Sequence, residues 1–203
     1  MRRTALVALT AVITALVGSG AKADSTGAGE RWAACAPVAV RVDLAAAPAG
    51  ALADVQRAIT EIDRASGLQL RYAGPTSLVP SGDNWVDTHG ITIAWARAAD
   101  SDKLTGANAG QGGYLADGST IRSGFVVLDT RFNGLAAGFG HGGSRGALLL
   151  HELGHAVGLE HSSDPRDIMY PTVTTKTAAW GSGDLAALRR VGVGGCSCGC
   201  QTR

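Results

Sequence analysis

Charged and aromatic side chains are both scarce in this 203-residue chain. Only 17% of its residues are charged and 5% are aromatic, and lysine occurs three times against fifteen arginines. No run of five or six basic residues occurs, and the formal net charge is +1. The chain therefore lacks the electrostatic footprint of a non-specific nucleic-acid binder, and no nucleic-acid partner is expected. Beyond the N-terminus there is no apolar stretch of membrane-spanning length. Small residues are abundant instead: 29 glycines and 35 alanines. The glycines follow no three-residue period, which excludes collagen. With 45% hydrophobic residues the chain is too apolar to be disordered. Its length suits one globular domain with its own core and a short extension.

Residues 1–23 read as an export signal. Arg2 and Arg3 form a positive start, Thr4 to Val17 is an apolar run, and Ala21-Lys22-Ala23 offers a small-x-small cleavage site. The run is too short for a comfortable membrane span. The mature chain is expected to begin at Asp24 and to be secreted, monomeric and without a membrane partner. Cleavage removes Arg2, Arg3 and Lys22 and no acid, so the net charge falls from +1 to −2.

Four cysteines agree with export: Cys35, and Cys196, Cys198 and Cys200 near the C-terminus. An even number in an oxidising compartment favours disulfides, with three connectivities open. A bridge from Cys35 to the tail would close a loop of roughly 160 residues, worth about 4–5 kcal/mol in the chain-entropy account. Soft-metal binding by Cys-x-Cys-x-Cys is the alternative. The expected organisation is a signal at 1–23, an N-terminal segment at 24–35, one domain over 36–192, and a Cys-rich tail at 193–203.

Hydrophobic periodicity gives the element order. Residues 24–34 read as a loose start. Val38, Val40 and Val42 alternate, which predicts a strand within 37–44. Leu52, Val55, Ile59 and Ile62 recur at helical spacing over 49–66, and Gly67 supplies the stop. Strands follow at Leu68 to Tyr72, Ile91 to Trp95 and Phe125 to Leu128, with loops over 74–90 and 98–113. Ser144 is placed to N-cap a helix from Arg145 to Val157 that Gly158 ends. A short last helix runs from Gly183 to Arg190.

The chemistry sits in residues 151–161, HELGHAVGLEH. His151 and His155 are four apart on a helix, so their imidazoles share one face. Glu152 adjoins the first ligand and can reach a water without being a ligand itself. Gly158 can take a positive φ and turn the chain sharply, letting His161 return as a third ligand. Three neutral imidazoles and one open position suit catalytic zinc. Eight residues after His161 stands Met169, in DIMYP.

The stretch HELGHAVGLEHSSDPRDIMYP resembles the matrixin branch of the metzincin clan, with Met169 in the place of the clan's Met-turn. Ser162, directly after the third histidine, fits that branch, and GDLAALRRVG resembles its closing helix. The resemblance implies an α+β fold: a twisted, mostly parallel sheet with one antiparallel edge strand, packed on two long helices, plus a C-terminal helix. It implies a zinc endopeptidase acting on proteins or peptides, with His151, His155 and His161 as ligands and Glu152 as general base. It further implies an extended substrate along an edge strand near Gly112 to Leu115, including Gly113 and Tyr114. Tyr170 and Pro171, with the segment up to Trp180, become candidates for a pocket wall.

The chain departs from the animal matrix metalloproteases in three respects. Cys35 lies in AACAP, which does not match the cysteine switch. No convincing second zinc site is found, since His89 and His141 are isolated. Calcium is a candidate only at Asp100 and Asp102, or at Asp83 and Asp87. Two other functions stay open: a catalytically silent module that keeps zinc for folding alone, which the presence of Glu152 disfavours, and a surface-attached interaction protein anchored by its tail.

Overall fold

The computed structural model describes residues 29–33, 36–140, 143–172 and 178–192. The expected export signal at 1–23, His141, all four cysteines and the tail at 193–203 lie outside the described residues. Ten elements follow in order: β1 (Arg31–Trp32), β2 (Val38–Asp43), α1 (Ala51–Ser66), β3 (Leu70–Pro75), β4 (Gly90–Ala96), β5 (Gly110–Asp117), β6 (Thr120–Asp129), a short 3-10 turn (Thr130–Phe132), α2 (Arg145–Ala156) and α3 (Ser182–Gly192).

The six strands form one sheet. Its path runs β1-β6-β4-β2-β3, with β5 on the other side of β6. Every pairing is parallel except β5 with β6, which is antiparallel. The valine alternation in β2 puts Val38, Val40 and Val42 on the helix side, all buried, while Arg41 points out. All three helices pack on that face. Ile59 and Ile62 of α1, Leu149 and Leu153 of α2, and Leu188 of α3 meet Ile93, Val126 and Leu128 of the sheet. The opposite face carries a smaller cluster of Trp85, Ala96, Leu104, Phe125 and Val127, supplied by the sheet and the loops that cover it. None of the helices among the described residues is long and apolar enough to cross a membrane.

Three segments differ from the periodicity reading. Within the expected loose start, Arg31 and Trp32 pair in parallel with Thr120 and Ile121. A two-residue strand is too short to carry a period. It is held by tertiary contacts, with the Trp32 indole buried and its N–H donating to the carbonyl oxygen of Ala156 at 3.2 Å. The expected long connection over 98–113 gives way to β5 at Gly110. Its Gly-Gln-Gly-Gly start has little strand propensity of its own, and the pairing with β6 imposes the strand. β6 begins at Thr120, five residues earlier than the apolar run suggests, because a tight turn at Gly118 (φ 59°) joins it to β5.

One buried ion pair ties the starts of the two long helices together. The Nε of Arg145 donates to Asp54 at 2.9 Å, and each residue is under 9% exposed. Asp54 also accepts the Gly138 N–H at 3.0 Å, and Arg145 donates to the Ala49 carbonyl at 2.9 Å.

Candidate metal centre

Helix α2 carries the first two histidines. Ser144 caps its start by accepting the Ala147 N–H at 3.3 Å. Its end is a Schellman arrangement: Gly158 takes φ 106°, its N–H reaches the His155 carbonyl at 3.0 Å, and the Leu159 N–H reaches that of Gly154 at 2.9 Å. A methyl at Gly158 would also press on Ile121. That turn reverses the chain and brings His161 back to the helix.

The three rings converge. Their centroids lie 5.0 Å (His151–His155), 4.7 Å (His155–His161) and 5.3 Å (His151–His161) apart. One nitrogen from each falls within 4.8 Å of the other two. The Nε2 atoms of His155 and His161 are 3.2 Å apart, close to the roughly 3.3 Å edge of a tetrahedron built on zinc–nitrogen bonds of about 2.0–2.1 Å. The backbone fixes two tautomers. Nδ1 of His151 donates to the Ile168 carbonyl and Nδ1 of His155 to that of Leu159, each at 2.8 Å. Their Nε2 lone pairs therefore face inward. Burial pushes His151 down to about 4 and His155 down to about 3, and lowers His161 as well. All three are neutral at pH 7, the state a metal needs.

Among the described residues, Nε2 of His151 is buried with no hydrogen-bond partner, and the two buried carboxylate oxygens of Glu152 have only the Gly112 amide nearby, without a well-formed hydrogen bond. Buried polar groups are nearly always paired, so orphans in one place need an explanation. A zinc ion shared by the imidazoles accounts for the first, and the donor set suits it. Glu152 is fully buried, and burial pushes its carboxyl up to about 8 against the opposing influence of the Gly112 amide; a cation held by the histidines would pull it back down, toward the ionised form a base needs. It stands beside the histidines without joining their ligand set.

Glycines in β5 let the helix approach. A methyl on Gly112 would overlap the main-chain carbonyl of Glu152, and one on Gly110 would crowd its side chain. Met169, 1% exposed, lies beneath with its sulfur against Gly154, where a methyl would again overlap.

The remaining candidates are placed as follows. Gly113 faces Phe125 on β5. Tyr114 donates its hydroxyl to Glu30 at 2.7 Å, and burial raises its pKa. Tyr170 and Pro171 are half-buried directly after Met169. Trp180 packs on the main core with its indole N–H buried and without a partner among the described residues. Asp83, Asp87, Asp100 and Asp102 are exposed, Asp100 is paired with Arg97 at 2.7 Å, and Asp102 accepts the Gly82 N–H at 2.8 Å. Among the described residues the histidine trio is the sole group of three or more ligand-type side chains able to share an ion. His89 is exposed, with φ 48°.

Sequence reasoning missed Asp184. It reads as the opening of a helix, yet its buried carboxylate accepts the N–H groups of Ile168 (2.6 Å), Met169 (3.1 Å) and Gly181 (2.9 Å). Burial pushes its carboxyl up, and those three donors oppose the shift. Asp184 thus holds the backbone of Ile168, whose carbonyl in turn orients His151.

The family model named Matrixin (Peptidase_M10) matches residues 76–190, a span that contains the three histidines, Glu152, Met169 and Asp184. The chain is 57% identical to matrilysin of Felis catus over 85 residues, 40% of this chain and 31% of that protein. It is 38% identical to macrophage metalloelastase of Oryctolagus cuniculus over 84 residues, 40% of this chain and 18% of that protein. The chain thus spans less than a third of the length of these relatives. With more than half of its residues under that one model and the histidine cluster inside the match, the chain belongs to the matrixin family of the metzincin clan.

Proposed function

We propose that this protein is a secreted zinc-dependent endopeptidase with Glu152 as its general base. The observation that carries the reading is the convergence of three neutral imidazoles beside a fully buried carboxylate. Zinc bound by His151, His155 and His161 would supply Lewis acidity, acidifying water to a pKa of about 7 and polarising a peptide carbonyl. Glu152 takes a proton from water at a carboxylate oxygen and later returns it to the leaving amine nitrogen. Ile168 and Leu159 keep two imidazoles in the ligating tautomer throughout. Met169 and Gly154 give the centre a packed, dry floor.

The substrate lies extended along β5, antiparallel to it, by strand addition. β5 pairs with β6 alone among the described strands, and Leu115 on it is 42% exposed. Gly113, Tyr170 and Pro171 border the bound peptide. One relative is named a metalloelastase, which supports a protein or peptide substrate. The catalytic unit is residues 36–192, behind an export signal at 1–23 and a segment at 24–35, with a Cys-rich tail at 193–203; Cys35, Cys196, Cys198 and Cys200 are the disulfide-forming set.

Cleavage of a quenched-fluorescent peptide library tests the reading. Activity should vanish with a chelator and return with stoichiometric zinc. Cleavage that is indifferent to chelation would rule it out.

A further inference from the structure

We propose that Asp167 is a positioning residue for the third histidine, clamping the loop that carries His161 onto the start of α3. This rests on the zinc reading above.

His151 and His155 owe their places to a regular helix and to carbonyl partners on Nδ1. His161 stands on irregular backbone, and among the described residues its ring has no carbonyl partner. Its position falls to the chain that follows. Ser162, the next residue, donates its N–H to the Met169 carbonyl at 2.9 Å. Its hydroxyl accepts the Asp164 N–H at 3.1 Å and donates to Oδ2 of Asp167 at 2.6 Å. Oδ1 of Asp167 accepts the Gly183 N–H at 3.1 Å. One carboxylate, 5% exposed, therefore joins the residue beside the third histidine to the first turn of α3. At 2.6 Å the Ser162–Asp167 contact is at the short end for an O–H···O hydrogen bond.

The niche is built for this carboxylate. Gly181 and Gly183 flank it, and a methyl on either would overlap its oxygens. Asp184 secures the far side of the same loop through Ile168 and Met169. The loop is thus fixed at both ends to one helix. With the Asp167 clamp cut, His161 has to be ordered by the metal itself, and that ordering weakens binding.

The test measures zinc affinity by competition with a chromophoric chelator. It uses the full chain as wild type, Asp167→Ala, Ser162→Ala and a remote destabilised control, Ile59→Val in the core of α1. Asp167→Ala and Ser162→Ala should each weaken zinc binding about tenfold, the lower end for residues supporting a ligand set. Ile59→Val should melt earlier with zinc affinity unchanged, which separates positioning from general stability. Wild-type affinity in both site variants, whatever their melting temperatures, overturns the proposal. If Asp167→Ala does not fold, Ser162→Ala decides alone, since it deletes only the hydroxyl. A wild type that binds no zinc overturns the metal reading itself, a result distinct from failure of the clamp.

Discussion

Gly112 of β5 lies so close to Glu152 of α2 that a single added methyl would overlap the glutamate's carbonyl oxygen. The edge strand and the helix that bears His151 and His155 are in backbone contact, and the glutamate is buried between them. Strand spacing, helix position and burial of the carboxylate therefore form one mechanical unit.

Replacing Gly112 with alanine should disturb all three. The obstacle is main chain, which cannot rotate away, so a cost of about 1–3 kcal/mol is expected together with a fall in turnover. Gly113→Ala presses on the Phe125 ring instead, on the other face of the strand. It should cost stability with a smaller effect on turnover. Urea midpoints and kcat measured on both variants check this, and equal losses of kcat would show that the Gly112 contact is nothing special.

Glu152→Gln keeps the shape of the side chain and removes its basicity. Turnover should fall by about a hundredfold to ten-thousandfold, the usual contribution of a general acid–base group. Zinc stoichiometry should be unaltered, because the carboxylate is not among the converging ligands. Metal content by mass spectrometry beside peptidase assays gives the answer, and a fully active variant removes Glu152 from the mechanism.

Removing zinc should destabilise the protein. The three imidazoles are held neutral with one nitrogen of each converging on the others. Free zinc at a hundred times its dissociation constant adds about 2.7 kcal/mol. For a domain of this size that corresponds to a melting shift of roughly 5–10 °C. Calorimetry with and without chelator reads it directly, and coincident melts would mean that the native fold does not bind the ion.

Asp54→Ala should be among the most damaging changes far from the histidines. It leaves the Arg145 guanidinium buried without its carboxylate and the Gly138 N–H without an acceptor. Breaking a buried pair in this way costs about 3–5 kcal/mol. Adding Arg145→Met should restore part of the loss, and denaturant unfolding of the single and double variants tests both statements.

Trp32→Phe isolates one hydrogen bond. The ring stays apolar and the Ala156 carbonyl at the end of α2 loses its donor. A loss of about 1 kcal/mol is expected in urea unfolding. An unchanged midpoint would mean that the strap before residue 36 contributes packing alone.

Much of the architecture is legible in the residues because it is written locally. The valine alternation of β2, the apolar stripe of α1 with Gly67 behind it, and the Ser144 cap of α2 each follow from a repeat or a terminal signal within a few positions. The histidine spacing belongs to the same class: a helical turn puts His151 beside His155, and Gly158 lets His161 return. β1 and the glycine-rich start of β5 are not written locally. Both are strands only because β6 offers them partners, and neither has a pattern that would betray it alone.

The sequence by itself determined that His151 and His155 share a helix face with Glu152 beside them, since that follows from residue spacing and a fixed 3.6-residue period. Tertiary structure alone decided that Gly110 and Gly112 seat the sheet edge on Glu152, and that Asp167 and Asp184 grip the loop beneath the histidines. Those contacts join segments far apart in the chain. Their geometry depends on how helices and sheet close around a common core, and no local repeat encodes that closure.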